Sequence, residues 1–241
     1  MKTTLKFEGA LLLGLILTAQ CCIAQRLPDD DLVNPGPSAD SIAAQIGVTV
    51  IDILAHDLGD LSGDGIDEFV AALETSVVIE GTRERLVTIF QIRQGRWILW
   101  KSSSAAILNS DEGGFFDPFE DISIHDQKLH ISHYGGSNWR WWMNDTYQMD
   151  GVDLLLSEHE SYGGALCDQK TEWTINLDKG LASCVYSREE CPEGFGNNEH
   201  LDSLPKSETF EISNALRIMF EQRGDSIISF ISPKNGFEGS L

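Results

Sequence analysis

Along most of the chain, short apolar runs with a period near two alternate with turn-forming residues, the signature of strands with one face buried. Val48-Thr49-Val50-Ile51-Asp52-Ile53-Leu54 opens the series, and Glu68-Phe69-Val70-Ala71-Ala72-Leu73 follows an acidic loop. Leu86 to Ile92 and Trp97 to Trp100 flank Gln94-Gly95, a tight hairpin turn. Asp121 to Ile124 and Lys128 to His133 flank His125-Asp126-Gln127, and Trp139 to Gln148 faces Val152 to Glu160 across Met149-Asp150-Gly151. Thr171 to Leu177 and Leu181 to Ser187 meet across Asp178-Lys179-Gly180. Hairpin after hairpin predicts an all-β fold: an antiparallel meander, sandwich-like or a partial propeller, with at most one or two short helices. A complete propeller needs about four to eight four-stranded blades, and this chain is too short for more than roughly four.

The C-terminal part is less regular. Ser213 to Glu221 reads as a helix capped by Ser213, and Ser226-Ile227-Ile228-Ser229-Phe230-Ile231 as a last strand. Residues 191–206 read as a polar loop.

The first residues follow another pattern. Lys2 and Lys6 precede an apolar run from Ala10 to Leu17, too short for a permanent membrane span. Cys22-Ile23-Ala24 then places small residues before a cut after Ala24, the layout of a secretory signal peptide over 1–24. Lipid anchoring through Cys21 or Cys22 is the alternative route. Residues 25–43, with Asp29-Asp30-Asp31 and Pro28, Pro35 and Pro37, read as a flexible leader. A single β domain over 44–234 and a tail over 235–241 complete the expected organisation. An exported, periplasmic or extracellular protein is therefore expected, with no transmembrane segment in the mature chain.

Charge narrows the partners. The 241 residues hold 38 acidic against 17 basic side chains, for a net charge of −21, and loss of Lys2, Lys6 and Glu8 with the signal peptide makes it −22. Such a surface repels nucleic acid and anionic lipid and favours cations. Cysteines fit an oxidising compartment: Cys167 and Cys184 flank a predicted hairpin and are the favoured pair, with Cys184–Cys191 also open.

The most specific chemistry lies in Asp60-Leu61-Ser62-Gly63-Asp64-Gly65-Ile66-Asp67-Glu68. Calcium takes six to eight oxygens at about 2.3–2.6 Å, and alternating oxygen-bearing side chains on a tight loop deliver them. Asp60, Ser62, Asp64, the Ile66 carbonyl and Glu68 form the candidate ligand set for a structural calcium ion. A helical calcium loop is set aside, because its position twelve would hold a bidentate Glu and here holds Ala71. The loop resembles the calcium loop of FG-GAP and VCBS repeats, which joins two strands of a propeller blade. Ser62 and Glu68 depart from that pattern, and a hydroxyl at Ser62 brings no charge.

A second block runs from Gly113 to Trp142 and contains Asp117-Pro118-Phe119, Ile122-Ser123-Ile124 and Ile131-Ser132-His133-Tyr134-Gly135-Gly136-Ser137-Asn138-Trp139-Arg140-Trp141. Together with the single acidic loop, it resembles a family of exported bacterial proteins that carry an ISHYGGSNWRW-type block. The resemblance covers roughly residues 50–185 and implies fold and address, not a reaction. Trp142-Met143 departs from it just after the block.

On an alternating strand Trp139 and Trp141 share one face, Arg140 and Trp142 the other. His133, Asn138, Trp139, Arg140 and Trp142 are the candidate ligand-binding residues, with Gly135-Gly136 allowing close approach to the backbone. His130 and His133, three apart, fall on opposite faces and make a poor metal pair. Asp117, His133 and Ser132 or Ser137 could be grouped as a nucleophile set, but no Gly-x-Ser-x-Gly elbow accompanies them. No positioned nucleophile–base pair emerges, which leans against an enzyme. The expected function is an exported calcium-stabilised binding protein whose ligand is an envelope protein or glycan. The alternatives are a secreted glycan or peptide hydrolase, which requires a concave pocket where His133 or Asp117 meets another titratable group, and a purely structural envelope protein.

Overall fold

The alternation of the sequence becomes two antiparallel sheets packed face to face. The computed structural model describes residues 35–165, 168–188, 206–213, 216–224 and 227–241. The segment expected to be a signal peptide, Cys21, Cys22, Cys167, Cys191 and nearly all of the 191–206 loop lie outside the described residues. Residues 36–241 form one compact unit.

The first sheet is a four-stranded meander of β1 (Val50–Gly59), β2 (Glu68–Ile79), β3 (Thr82–Arg93) and β4 (Arg96–Ser103). The second has seven strands in reverse chain order across the sheet: β11 (Lys206–Glu211), β10 (Leu181–Arg188), β9 (Gln169–Asn176), β8 (Asp153–Ala165), β7 (Trp139–Asp150), β6 (Lys128–Gly136) and β5 (Phe119–His125). The hairpin turns at Gln94-Gly95 and Asp126-Gln127 both hold positive φ at their two central residues. That is the backbone whose twist matches the flanking strands. The fold is thus all-β and sandwich-like.

The sheets meet in one core, where Val70, Ala72, Val87 and Ile89 of the first face Ile131, Tyr147, Leu156 and Ile175 of the second. Alternate residues of β2 and β3 enter a separate cluster of Phe69, Ala71, Leu73 and Phe90 on the opposite face. That face is covered by α1 (Ala39–Ile46), whose Ile42 is fully buried. Ser38 caps the helix start and Gly47, at φ 79°, ends it in the left-handed conformation. Gln45 accepts from Leu99 N at 2.8 Å and donates to the Trp97 carbonyl at 3.1 Å, so α1 also satisfies backbone groups of β4, the edge strand. The expected leader over 25–43 is therefore corrected for residues 39–43. The prolines and aspartates stop at Asp40, and Ser38 with the following apolar spacing starts a helix.

Two other expectations change. In place of a helix over 213–221, residues 216–218 have no regular structure, Met219 is extended and bridges to Leu155, and Phe220–Gln222 form one 3-10 turn. Ile218 and Phe220 alternate into the core, which extended backbone permits and a helix would not. Nor is 235–241 a tail: β13 (Glu238–Ser240) pairs with β12 (Ser229–Ile231), and Leu241 is buried. Glu208 holds the intervening turn by accepting from Lys234 N at 2.8 Å and Asn235 N at 3.1 Å.

One irregularity decides what the large sheet can present. Tyr147 pairs with Leu156 but Thr146 pairs with Glu158, so Ser157 is an extra residue in β8. Its hydroxyl donates to the Thr146 carbonyl at 3.0 Å, and its own carbonyl accepts from Leu177 N at 2.9 Å. A bulge reverses the facing of everything beyond it. His159, Ser161 and Gly163 consequently turn toward the inside of the sandwich.

Candidate functional site

The large sheet extends past the smaller one, and its uncovered inner face forms the floor of a cavity of about 500 Å³. Cross-strand register orders that floor. Ile131, Asp145, His159 and Ile175 form one row; His133, Met143, Ser161 and Trp173 the next; Gly135, Trp141, Gly163 and Thr171 the third. Residues 105–108, Arg223-Gly224 and β13 close the remaining sides.

Glycines set the indoles in place. A Cβ at Gly135 would sit 2.3 Å from the Trp141 ring, and one at Gly239 would sit 2.5 Å from the Trp173 ring. Gly135 is thus a bed for Trp141 rather than an approach for a ligand, which corrects the sequence expectation. Trp139, 46% exposed, stands at the open end.

At the inner end lies a buried charged cluster. Asp145, 3% exposed, receives His159 Nδ1 at 2.6 Å and Arg223 Nε at 2.7 Å. Arg223 Nη2 reaches the other carboxylate oxygen at 3.3 Å, and the Tyr147 hydroxyl donates at 3.4 Å. Burial alone would raise the Asp145 pKa, but the His159 hydrogen bond and the Arg223 charge outweigh it and hold the carboxyl at about 2. Arg223 is desolvated too, yet the facing carboxylate keeps its pKa above the ordinary value. With Asp145 ionised, His159 carries a proton on Nδ1, and Nε2 is the nitrogen left for the cavity.

His133 is 2% exposed and lines the same cavity. Burial, the largest influence, lowers its pKa to about 4, so the ring is neutral at pH 7. Its Nε2 accepts from Leu108 N at 3.2 Å, which places the proton on Nδ1. That Nδ1 is buried and has no hydrogen-bond partner among the described residues, and the same holds for Trp173 Nε1.

A second ion pair, buried on its arginine side and half-exposed at the carboxylate, anchors the segment above His133. Arg85, 2% exposed, donates to Asp117 Oδ1 at 2.7 Å, pairs its other Nη with Oδ2, and reaches the Leu108 carbonyl at 3.3 Å. The hydrogen bond from Arg85 lowers the Asp117 pKa against its partial burial.

Of the ligand set read from sequence, His133 and Trp139 line the cavity, and Trp142 borders it while stacking on Tyr162 at 6.1 Å. Asn138 and Arg140 are exposed and lie outside the lining. His130 points to the opposite face, where its ring stacks on His125 at 3.7 Å and Nδ1 meets the Thr146 hydroxyl at 3.2 Å. The grouping of Asp117 with His133 and a serine is not assembled, because Arg85 holds Asp117 and Ser132 faces away from the cavity. Sequence reasoning missed Trp141, Asp145, His159, Trp173 and Arg223 as site residues. Asp145 carried a readable signal, a carboxylate in the apolar phase between Met143 and Tyr147.

In the acidic loop the carboxylates serve the backbone. Asp60 accepts from Gly63 N at 2.7 Å, Asp64 N at 3.1 Å and Gly65 N at 3.0 Å, and Asp64 accepts from Ile66 N at 2.9 Å. Glu68 is buried beneath the loop, accepting from Leu61 N at 2.9 Å and Ser62 N at 3.0 Å. Ser62 Oγ is buried without a partner among the described residues, and Asp64 and Ile66 are exposed. The residues fit a cation in part: Asp60, Ser62 and Asp64 share the loop, whereas Glu68 is directed into the protein. Cys184 is buried and a free thiol among the described residues, and its expected partners Cys167 and Cys191 lie outside them.

No family model matches the chain, and no curated protein or solved structure is significantly similar to it. The fold and site by themselves define an antiparallel sandwich with a tryptophan-walled cavity over a buried Asp–His–Arg cluster.

His133 sets a pH dependence. Its folded pKa of about 4 lies below the unfolded value of 6.5, so between these the unfolded chain binds more protons. Its contribution is full above pH 6.5 and is lost as pH falls through 4, on the order of 3 kcal/mol. Denaturant unfolding should therefore show a stability slope between pH 6.5 and 4 that becomes shallower in His133→Phe; an unchanged slope would contradict the assignment.

Proposed function

We propose that the chain is an exported binding protein that takes a segment of envelope glycan into the tryptophan-walled cavity. The observation that carries this reading is a recess of about 500 Å³ with Trp139, Trp141 and Trp173 on its walls and polar groups at its inner end. That volume lies within the range of small-ligand sites, and concave apolar walls with a few polar groups are their usual character. Indole faces suit the C–H faces of sugar rings, while a protein partner would need a much broader contact. The export address rests on the signal-peptide pattern at 1–24. Purified protein titrated with envelope oligosaccharides should show saturable tryptophan emission changes, weakened at least tenfold by Trp141→Ala. Failure of every oligosaccharide to saturate would overturn the reading.

A hydrolase is the second reading, favoured by the convergence of His133, Asp145 and His159 in one concave site. In that case His159 Nε2 would take a proton from water, with Asp145 holding the ring. Turnover of a bound oligosaccharide that disappears in His159→Gln would select it over binding alone.

Calcium belongs to the acidic loop, as a staple between β1 and β2. Asp60, Ser62, Asp64 and the Ile66 carbonyl would hold it, with Glu68 ordering the loop from beneath; the partnerless Ser62 hydroxyl supports this. Thermal unfolding of residues 25–241 should then show a higher Tm in millimolar calcium than in EDTA, with the difference absent in Asp64→Ala. Equal melting in both buffers would mean the loop is a self-capped turn.

A further inference from the structure

The recess is walled by aromatic rings and set in a strongly negative molecule, and the two together specify the charge of what it holds. Trp139, Trp141, Trp142, Tyr162 and Trp173 line it, with Trp139, 46% exposed, at the open end. An aromatic ring is negative on its face and positive at its edge. Indole faces therefore attract an ammonium group within about 6 Å of the ring centroid, more strongly than other aromatic rings do. A neutral sugar ring uses the same faces through its C–H groups. The rings alone leave the ligand's charge open, and the charges around them decide it.

Arg223 is the one guanidinium or ammonium group among the described residues that line the recess, and it is committed to Asp145 at 2.7 Å. Glu238, exposed on β13, borders the recess as well, and its carboxylate makes no hydrogen bond or ion pair among the described residues. The lining thus holds one carboxylate in excess. Arg140 and Lys170, at the same end of the sheet, are out of phase with Trp141 and Thr171 and face the other side, where Lys170 meets Glu172 at 3.7 Å. Beyond the recess the excess extends over the whole chain, with 38 acidic against 17 basic side chains. A concave site with low-dielectric walls focuses such a field, raising the local concentration of cations and repelling anions. A carboxylated or phosphorylated sugar would enter against that field, with Arg223 already taken.

Building on the glycan reading, we infer that the recess selects an amino sugar, its ammonium group held over the Trp139 and Trp141 indoles and drawn in by the negative field to which Glu238 contributes. The aromatic walls supply affinity for any sugar ring, and the charge supplies the choice among glycans. A quaternary ammonium headgroup shares the ammonium chemistry but brings no sugar ring to stack.

Calorimetry on residues 25–241 at pH 6, where the amino groups of glucosamine are protonated, tests this with four probes. They are the β-1,4-linked disaccharide of glucosamine; cellobiose, with the same linkage and no charge; cellobiuronic acid, which carries a carboxylate; and choline. In low salt the glucosamine disaccharide should bind about tenfold more tightly than cellobiose, and cellobiuronic acid more weakly than either. Raising the salt to about 0.5 M should shrink both gaps. Glu238→Gln and Trp139→Leu, changes at exposed positions, should each lower the ratio of glucosamine-disaccharide to cellobiose affinity severalfold. Equal affinity for these two disaccharides, tighter binding of the acid, or a ratio unmoved by salt and by both variants would overturn the inference. Saturable cellobiose binding in that case leaves the glycan reading standing. Choline bound as tightly as the glucosamine disaccharide would place recognition in the ammonium group alone and overturn the amino sugar. If no sugar binds here or in the wider oligosaccharide titration, the glycan reading itself fails.

Discussion

A carboxylate buried in the middle of a sheet is the constraint around which the rest of this molecule is arranged. Asp145 lies in the apolar phase of β7, 3% exposed, where an unpaired charge would be far too costly to keep. Arg223 and His159 compensate it from two directions, and neither is local in sequence. Arg223 brings the 216–224 segment down onto β8, where Met219 bridges to Leu155 and Phe220 packs edge-on against Tyr147. Phe220 in turn gives its carbonyl to the Ser103 hydroxyl at the end of β4, tying the two sheets together. Breaking a buried pair of this kind by removing one partner typically costs about 3–5 kcal/mol. Its value here is positional: the cluster fixes one arrangement of the chain over the exposed part of the large sheet.

The cavity follows from unequal sheet sizes. Four strands cannot cover seven, and the first sheet is already committed on its other face to α1. The overhang is roofed by connecting segments, held by Arg85–Asp117 on one side and Arg223–Asp145 on the other. Large indoles fill much of it because glycines opposite them, at 135 and 239, leave room for flat rings. What remains open is lined by His133, Ser161 and the three indoles, and the buried nitrogens His133 Nδ1 and Trp173 Nε1 stay unmatched among the described residues.

Much of this architecture was legible in the sequence. The hairpins at Gln94-Gly95 and Asp126-Gln127 follow from short polar breaks, marked by Gly95 and Asp126, between alternating runs, and the inward facing of His133 and the shared face of Trp139 and Trp141 follow from counting by two. His159 was illegible for the same reason: counting by two from Leu154 and Leu156 puts it outside, and only the extra residue Ser157 turns it in. Arg223 was hidden because its role depends on a contact 78 residues away in sequence. The 216–222 segment misled through composition, since Leu216, Ile218 and Phe220 serve an extended chain as well as a helix. The acidic loop was readable as a tight turn between strands, but its spacing does not reveal that Glu68 points beneath it.

Burial and the Leu108 N–H hold His133 neutral with its proton on Nδ1, while Asp145 holds the His159 proton on Nδ1, and imidazole nitrogen NMR on the 15N-labelled protein tests both most directly. At pH 6 the account predicts His133 as the neutral Nδ1–H form, with its Nε2 shift showing a hydrogen bond from a backbone amide. It also predicts that the His159 Nδ1 proton resonates far downfield, shared with the Asp145 carboxylate. A cationic His133 at that pH, a neutral His133 protonated on Nε2, or a His159 proton exchanging freely from Nδ1 would contradict it.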